Sequence, residues 1–440
     1  MDVGDRANPN GGTAVGQEIF RLMAELYPFC RSITGRGLRR TLEIVQRYIP
    51  LRLHEVPSGT RVFDWTVPKE WNIRDAYVIS PNGKKIIDFR ESTLHVVSYS
   101  VPVKKTMPLC ELKGHLHTVP AHPDWIPYRT SYYREDWGFC LSHNDFLGLR
   151  EGDYEVVIDS TLEDGSLTYG ELLLEGAKKD EILISAHACH PSLANDNLSG
   201  VGLATMLAKH IATFPRKFSY RFLFIPGTIG AITWLSLNEQ TVCRIKSGLV
   251  LTGVGDPGNL TYKKSRRGDA EIDRAAGHIL RHAGPPGRIQ DFSPYGYDER
   301  QFCSPGFNLP IGRLSRTPYG EYPEYHTSAD NLEFVSANSL GDSYDAVRAI
   351  LGVLENDGTF VNLNPKCEPQ LGKRGLYASP GTYEMALLWV LNLSDGDHSL
   401  LNIAEKSGLA FPSVQDAALT LVQAGLLDKP SERPPFKKVA

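Results

Sequence analysis

The chain is organised around one stretch, Ile182-Leu183-Ile184-Ser185-Ala186-His187-Ala188-Cys189-His190-Pro191-Ser192-Leu193-Ala194-Asn195-Asp196-Asn197-Leu198-Ser199-Gly200. Its apolar start, residues 182–184, is typical of a buried strand, and an amphipathic helical pattern begins at Ser199. Between them, His187 and Asp196 offer the nitrogen and oxygen ligands that zinc accepts in proteins. The pattern therefore indicates a metal site at a strand end, although the residues alone also fit an ordinary hydrogen-bonded loop.

Alternating strands and helices follow this stretch. Apolar periodicity predicts helices at 199–214, 229–237, 270–283 and 336–354, with strands at 220–225, 248–254 and 309–314. Such alternation is typical of a three-layer α/β fold with a mostly parallel sheet. In these sheets the sites lie at the carboxyl ends of the strands, where the His187 loop begins.

Composition excludes several classes of protein. The 440-residue chain has a net charge of -4, so it lacks the excess positive charge that is typical of proteins that bind nucleic acid. Its seven cysteines are scattered, which argues against a disulfide framework and fits a reducing compartment. No apolar run approaches the roughly 20 residues needed to cross a bilayer. We expect a cytoplasmic protein with a disordered leader at 1–16 and no membrane partner.

Changes in apolar periodicity and in turn-residue content divide the chain into domains. Residues 17–57 and 175–365 carry the α/β pattern and form the expected catalytic domain. Short alternating runs broken by Gly, Pro and Asp predict an inserted β-rich domain at 58–174. Three short helical patterns within 370–440 predict a winged helix-turn-helix domain. Its expected recognition helix, 412–425, contains no Lys or Arg, which favours a packing role, such as homo-oligomer assembly, over DNA binding.

Two motifs carry a resemblance to a known family. Ser-Ala-His-x-x-His followed by Asn-Asp-Asn-x-Ser-Gly resembles the metal loop of zinc aminopeptidases of the bacterial leucyl type, a superfamily that includes glutaminyl cyclase. The long segment 57–77 is similar to a branch with an inserted β domain and a C-terminal winged helix, often encoded near surface-polysaccharide or natural-product biosynthetic genes. The resemblance covers about 17–427, so it implies the fold more securely than the activity.

The resemblance also implies a third metal ligand. His326 lies in Tyr-His-Thr-Ser-Ala-Asp, which is similar to the segment that carries the last zinc-binding histidine of the family. His187, Asp196 and His326 are therefore the expected ligands, which leaves a fourth position for water or substrate. The family's two further carboxylates are missing, because Gly227 and either Thr252 or Gly253 occupy their positions. We expect one zinc ion per chain.

A hydrolase without its usual glutamate needs another proton acceptor. The expected catalytic candidates are His190, Glu299 and Glu324, with Glu321 and Asp298 as further candidates by position. The segment 297–302 resembles the substrate-pocket loop of the superfamily. We expect Asp298, Arg300 and Tyr325 to contact substrate, and Arg300 with Arg266 or Arg267 to be able to hold a carboxylate or phosphate.

The resemblance implies a zinc-dependent hydrolase that acts on an amide or acyl bond of a small molecule or peptide. Because Gly227 replaces the usual glutamate, two alternatives stay open. One is acyl transfer or cyclisation with zinc. The other is a protein that has kept the fold for ligand binding or scaffolding without catalysis.

Overall fold

A computed structural model describes residues 14–376 and 382–429. The chain forms two compact units. The larger unit contains the described residues of Met1–Ala270 together with Arg288–Asp345, and the smaller unit contains Glu271–Gly287 and the described residues of Ala346–Ala440. Most of the expected leader lies outside the described residues, but residues 14–16 already form the first turn of a helix.

The described secondary structure contains the following elements. The helices are α1 (Ala14–Leu26), α2 (Arg36–Val45), α3 (Leu109–Leu112), α4 (His143–Leu147), α5 (Gly200–Ile211), α6 (Ile229–Asn238), α7 (Glu271–His282), α8 (Glu299–Phe302), α9 (Ala337–Asn356), α10 (Thr382–Leu393), α11 (Leu400–Ser407) and α12 (Phe411–Gln423). The strands are β1 (Arg52–Pro57), β2 (Arg61–Val62), β3 (Trp65–Thr66), β4 (Glu70–Ile79), β5 (Lys85–Asp88), β6 (Val103–Pro108), β7 (Leu116–His117), β8 (Phe139–Cys140), β9 (Asp153–Glu163), β10 (Ser166–Leu174), β11 (Glu181–His187), β12 (Ser219–Ile225), β13 (Ile245–Leu251), β14 (Thr261–Lys263), β15 (Arg288–Gln290), β16 (Ile311–Ser315), β17 (Thr359–Asn362), β18 (Asp395–Ser399) and β19 (Leu427–Asp428).

An eight-stranded sheet forms the centre of the larger unit. Its strand order is β1-β10-β12-β11-β13-β16-β14-β15. The four middle strands, from β12 to β16, run parallel, while β10 and β14 are antiparallel to their inner neighbours. The sheet is therefore mixed at its edges. Every residue of β11 is buried, because helices and loops cover both faces of the sheet at its centre. The predicted α/β fold is confirmed.

The inserted region forms a smaller antiparallel sheet with the order β5-β4-β9-β6, together with the short pairs β2–β3 and β7–β8. Strand β10 falls within the range expected for the inserted domain, yet it pairs with β1 and β12 in the eight-stranded sheet. Its pairing partners lie far away in the sequence. The alternation within the strand could not reveal which sheet it joins.

The smaller unit contains α10, α11 and α12 with a three-stranded sheet of order β18-β17-β19. Ser399 and Asn402 form a reciprocal capping box at the start of α11, and Gly408 ends that helix in the left-handed conformation. The unit also includes α7, where Nε2 of His278 accepts a hydrogen bond from the backbone N–H of Phe411. In the described parts of the chain, no helix is both long and apolar enough to span a membrane.

Candidate active site

The site begins where β11 ends. His187 is the last residue of this strand, and its imidazole is 1 % exposed. The chain then loops back, so that Asp196 lies beside His187 with 2.8 Å between Nε2 and Oδ1. Helix α5 starts directly after this loop. The strand-end position predicted from the sequence therefore brings both side chains together.

His326 reaches the same carboxylate from a distant loop. Its Nε2 lies 3.0 Å from Oδ2 of Asp196, and the Tyr325 ring stacks on its imidazole with 3.9 Å between centroids. His326 has a left-handed backbone with φ of 57°. This conformation is uncommon for a residue with a β carbon and is often found at functional sites.

His190 is the fourth member of the cluster. Its Nδ1 lies 3.9 Å from Oδ1 of Asp196, and its ring centre lies 4.9 Å from that of His187 and 5.1 Å from that of His326. Burial lowers the pKa of His190 to about 3, so its ring is neutral. Although burial opposes ionisation of Asp196, the surrounding imidazoles hold the pKa of its carboxyl well below the ordinary value.

Buried hydrogen bonds hold the Asp196 loop in place. The carboxylate of Asp330 accepts the backbone N–H groups of Asn195 at 2.6 Å and Asp196 at 3.0 Å. The side-chain amide of Asn197 donates to the carbonyl of Leu251 at 2.9 Å. From the sequence alone, no role in the site was assigned to Asp330. Its position in the same motif as His326 was the available signal for this supporting role.

A cavity of about 370 Å³ opens onto this cluster. His187 and His190 lie in its wall, together with Gly227, Thr228 and Asp298. The rest of the wall is strongly aromatic, with one tryptophan and six tyrosines: Trp65, Tyr132, Tyr133, Tyr295, Tyr297, Tyr319 and Tyr325. Trp65 and the tyrosines at 132 and 133 come from the inserted region. The volume suits a small ligand.

Asp298 is the buried carboxylate of the cavity wall. Its Oδ1 accepts the backbone N–H of Thr228 at 2.6 Å. Its Oδ2 is buried and has no hydrogen-bond partner within the described ranges. Burial raises the pKa of Asp298 to about 6, while His187 opposes that rise. Such a carboxyl is ionised at neutral pH, and one of its oxygens is left without a hydrogen bond among the described residues.

Gly227 leaves a space beside the cluster. A β carbon on this residue would lie 3.4 Å from Sγ of Cys189 and 3.7 Å from Cβ of His187, which are ordinary contact distances. The sequence places no carboxylate there. The backbone N–H of Gly227 donates to Sγ of Cys189, and burial raises the pKa of that thiol to about 12. Cys189 is thus a buried neutral thiol.

The other candidates lie in different surroundings. Glu299 forms a buried ion pair with Lys263 through Oε1 at 2.9 Å, and it does not line the cavity that holds His187 and Asp298. Glu324 lines a separate open pocket near Trp125. Arg300 packs its guanidinium over the ring of Tyr295, 5.8 Å from the centroid. Of the five carboxylate and histidine candidates for proton transfer, the structure places His190 and Asp298 in the cavity wall.

Two arginines proposed to act with Arg300 have other partners. Arg266 donates a hydrogen bond to the side-chain oxygen of Asn308, and Arg267 donates one to the backbone carbonyl of the same residue. The remaining candidate, Glu321, pairs on the surface with Arg288. These residues therefore stabilise loops of the larger unit and are not part of the candidate site.

The positions expected for a second metal ion carry no carboxylate. Gly253 has a left-handed backbone with φ of 58° beside Thr252. Asp256 instead accepts the Gly258 N–H within its turn and the side-chain amide of Asn195. Asp256 is therefore engaged as a turn residue.

The donor set fits a metal ion of the zinc type. Ligand atoms of a tetrahedral zinc ion lie about 3.3 Å apart when each is about 2.0 Å from the metal. The distances from the Asp196 oxygens to nitrogens of His187, His326 and His190 are 2.8, 3.0 and 3.9 Å, which straddle that spacing. Moreover, Nδ1 of His190 is buried without a hydrogen-bond partner in the part of the chain that is described. The cluster can therefore hold a metal ion.

Comparisons with known proteins agree with this fold. A 56% identical protein from Clostridium acetobutylicum carries the name "Putative polysaccharide biosynthesis protein with aminopeptidase-like domain"; the alignment covers 94% of this chain and 96% of that protein. A crystal structure from C. acetobutylicum described as a "putative peptidase" superposes with a TM-score of 0.91 at 56% identity, again over 94% and 96% of the two chains.

A more distant structure shows the same architecture. BSAP, a zinc aminopeptidase from Bacillus subtilis, superposes with a TM-score of 0.57 at 14% identity and covers 79% of this chain and 95% of its own. A winged helix-turn-helix profile matches residues 358–429, which confirms the predicted C-terminal fold. The profile described as "Domain of unknown function (DUF4910)" matches residues 20–357. The chain thus belongs to the DUF4910 family and has an aminopeptidase-like fold followed by a winged helix-turn-helix.

Proposed function

We propose that this protein is a zinc-dependent hydrolase that cleaves an amide bond of a small molecule or short peptide. The observation that carries the proposal is the position of Asp298. A buried carboxylate with an unpartnered oxygen lies in the same cavity wall as His187, whose imidazole contacts Asp196. A proton acceptor beside a metal-type donor set is the arrangement that amide hydrolysis needs.

His187, Asp196 and His326 would hold one zinc ion per chain. When bound, zinc polarises a carbonyl and lowers the pKa of water. Other residues of the chain would orient these metal ligands. Asp330 fixes the backbone of Asp196, and Tyr325 stacks on His326, so both side chains are held before any ligand arrives.

Asp298 would move the proton. Its Oδ1 is held by the Thr228 N–H, which leaves Oδ2 to accept a proton from the attacking water and then to give it to the departing amine. Its pKa near 6 suits both steps, since the group is basic enough to accept a proton and acidic enough to release it near neutral pH. General acid–base catalysis of this kind contributes about 100-fold to 10,000-fold.

The aromatic wall would bind the rest of the substrate. Tyrosine rings present a flat apolar face and a hydroxyl group that can donate or accept a hydrogen bond. Arg313 stacks on the rings of Tyr297 and Tyr319, and Arg300 stacks on Tyr295. Both guanidinium groups pack against these rings from outside the cavity lining. The wall fits a neutral ring that carries hydroxyl groups.

The relative's name directs the choice of substrates. Because that name refers to polysaccharide biosynthesis, N-acyl amino sugars belong in the test beside aminoacyl amides. Acyl transfer to an amine would use the same groups. A purely binding protein would bind a ligand in the cavity without turning it over.

The test combines metal analysis with product detection. The purified protein, loaded with zinc, is incubated with N-acyl amino sugars and aminoacyl amides, and free amine is measured. We expect release of amine by the wild type and by Asp291→Asn, whose carboxylate is exposed on the surface. Asp298→Asn should keep its zinc and lose the activity. Binding of a substrate by the wild type without any release of amine would refute the hydrolase.

A further inference from the structure

His190 belongs to the site but has no role in the proposed hydrolysis. It follows the strand end by three residues, and its imidazole is 14 % exposed. Nδ1 is buried and has no hydrogen-bond partner among the residues that the structure describes. A buried imidazole nitrogen left unpaired is costly in a folded protein, so it calls for a ligand or a partner.

The geometry points to a metal ligand: we infer that His190 binds the same ion as His187 and Asp196, in place of the carboxylates that this chain lacks. One candidate ligand atom from each of these three residues lies within 4.8 Å of the others. The inference rests on the proposed zinc site and adds a ligand to it. It also changes the chemistry of the site, since a neutral imidazole replaces a negative charge.

The surroundings hold the His190 ring in this position. The backbone carbonyl of His190 accepts the Nε–H of Arg31 at 2.7 Å, and Arg31 itself is buried. The ring of Tyr128 packs edge-on against the imidazole, with 5.3 Å between centroids. Two residues further on, the hydroxyl of Ser192 donates to the carbonyl of Tyr27 at 2.9 Å. The ring is therefore oriented before a metal ion binds, as expected for a ligand.

Gly227 contributes no side-chain ligand to the cluster. A side chain at this position would approach His187 and Cys189, and glycine leaves that space empty. His190 approaches Asp196 from the loop instead, on the side of Oδ1, while His326 approaches Oδ2. With three imidazoles and one carboxylate, the complex with a divalent ion is positively charged overall by one unit. A carboxylate in place of one imidazole would make it neutral.

The consequence for the substrate is a preference for electron-rich acyl oxygens. A site with less negative charge is a stronger Lewis acid, because each anionic ligand donates electron density to the metal. A neutral His190 ligand would in this way raise the Lewis acidity that a bound ion supplies at the site. The inference concerns a ligand, so it can be tested without any substrate.

The experiment measures the binding of Zn²⁺ and Co²⁺ to full-length protein stripped with a chelator. We expect His190→Ala to lower zinc affinity by more than about 100-fold, since even outer-shell partners contribute about 10-fold to 100-fold. His190→Asp should recover part of that affinity because it restores a donor atom. His190→Phe, which keeps the ring packing against Tyr128, should not. The absorption spectrum of bound Co²⁺ should change in His190→Asp, since a ligand to the ion has been exchanged.

Each outcome separates this inference from the proposed function. Unchanged zinc affinity and an unchanged Co²⁺ spectrum in His190→Ala, with affinity lost in His326→Ala, would overturn the inference and leave the proposed hydrolase intact. A wild-type protein that binds neither ion would overturn both. Circular dichroism of each stripped variant distinguishes lost ligation from lost folding, and His115→Ala, whose ring stacks on Trp137, is the matched histidine control.

Discussion

The backbone N–H of Thr228 donates a 2.6 Å hydrogen bond to Oδ1 of Asp298, at the point where α6 begins. Thr228 has a left-handed backbone with φ of 64°, which is an uncommon conformation for threonine. The bond holds one carboxylate oxygen and leaves the other free.

Activity should rise with pH through about 6. Burial raises the pKa of Asp298 to about 6, and only its deprotonated form can accept a proton. We therefore expect kcat/KM to fall below pH 6 and to reach a plateau above it. Asp298→Asn should lower activity by about 100-fold to 10,000-fold and abolish the fall of kcat/KM below pH 6, which is the acidic limb of the profile. A profile that keeps the same limb in the Asn variant would assign it to another group.

The stability of the same variant gives a second check. Because the pKa of Asp298 is raised in the folded state, stability is lost as pH rises from its ordinary pKa to about 6. Asp298→Asn removes this cost. At pH 8 the variant should therefore melt no lower than the wild type, which would separate a loss of catalysis from a loss of folding.

Metal content should depend on His187 and His326. His187→Ala or His326→Ala should abolish tight zinc binding, because each imidazole contacts the Asp196 carboxylate. His115→Ala should keep it, since that ring stacks on Trp137 instead. Elemental mass spectrometry of untagged protein is the measurement, with about one zinc per wild-type chain expected. Full zinc content in either of the first two variants would contradict the assignment.

Position 227 should accept a β carbon. The nearest atom to a β carbon on Gly227 would be Sγ of Cys189 at 3.4 Å, so Gly227→Ala should shift the melting temperature by no more than a few degrees. Gly176→Ala is the contrast, because its β carbon would lie 2.1 Å from the carbonyl oxygen of Phe218. That variant should be clearly destabilised. Equal melting temperatures for the two variants would be at odds with the packing.

Glu299 should act in folding, with no direct step in the reaction. Its buried pair with Lys263 means that Glu299→Gln leaves a buried ammonium without its counter-charge, which costs about 3–5 kcal/mol in comparable cases. Glu299→Gln combined with Lys263→Met should be less destabilised than Glu299→Gln alone. Urea unfolding followed by tryptophan fluorescence measures both. A stable Glu299→Gln protein without activity would restore Glu299 as a catalytic candidate.

The smaller unit should not retain DNA. Its α12 contains no Lys or Arg and carries Asp416, so it lacks the charges that contact phosphate. We expect no gel retardation of duplex DNA at low salt by the full-length protein. Retardation that decreases with added salt would instead indicate a nucleic-acid partner.

The sequence by itself determined the fold class and the local part of the site. The apolar run at 182–184 lies within β11, His187 ends that strand, and the helical pattern after Asp196 became α5. These features depend on neighbours in the chain, where periodicity and turn chemistry act directly. For the same reason the three helices of the winged-helix unit could be predicted from their apolar periodicity.

Only the tertiary structure decided which distant side chains meet. Asp298 and Glu299 are adjacent in sequence, yet the first lies in the cavity wall beside His187 and the second is buried against Lys263. No local pattern distinguishes two neighbouring acids, because their surroundings come from other strands and loops. The aromatic wall of the cavity could likewise not be predicted from the sequence, since Trp65 reaches the cavity from the inserted region. Long-range packing decides which carboxylate is held beside the cluster and which is neutralised.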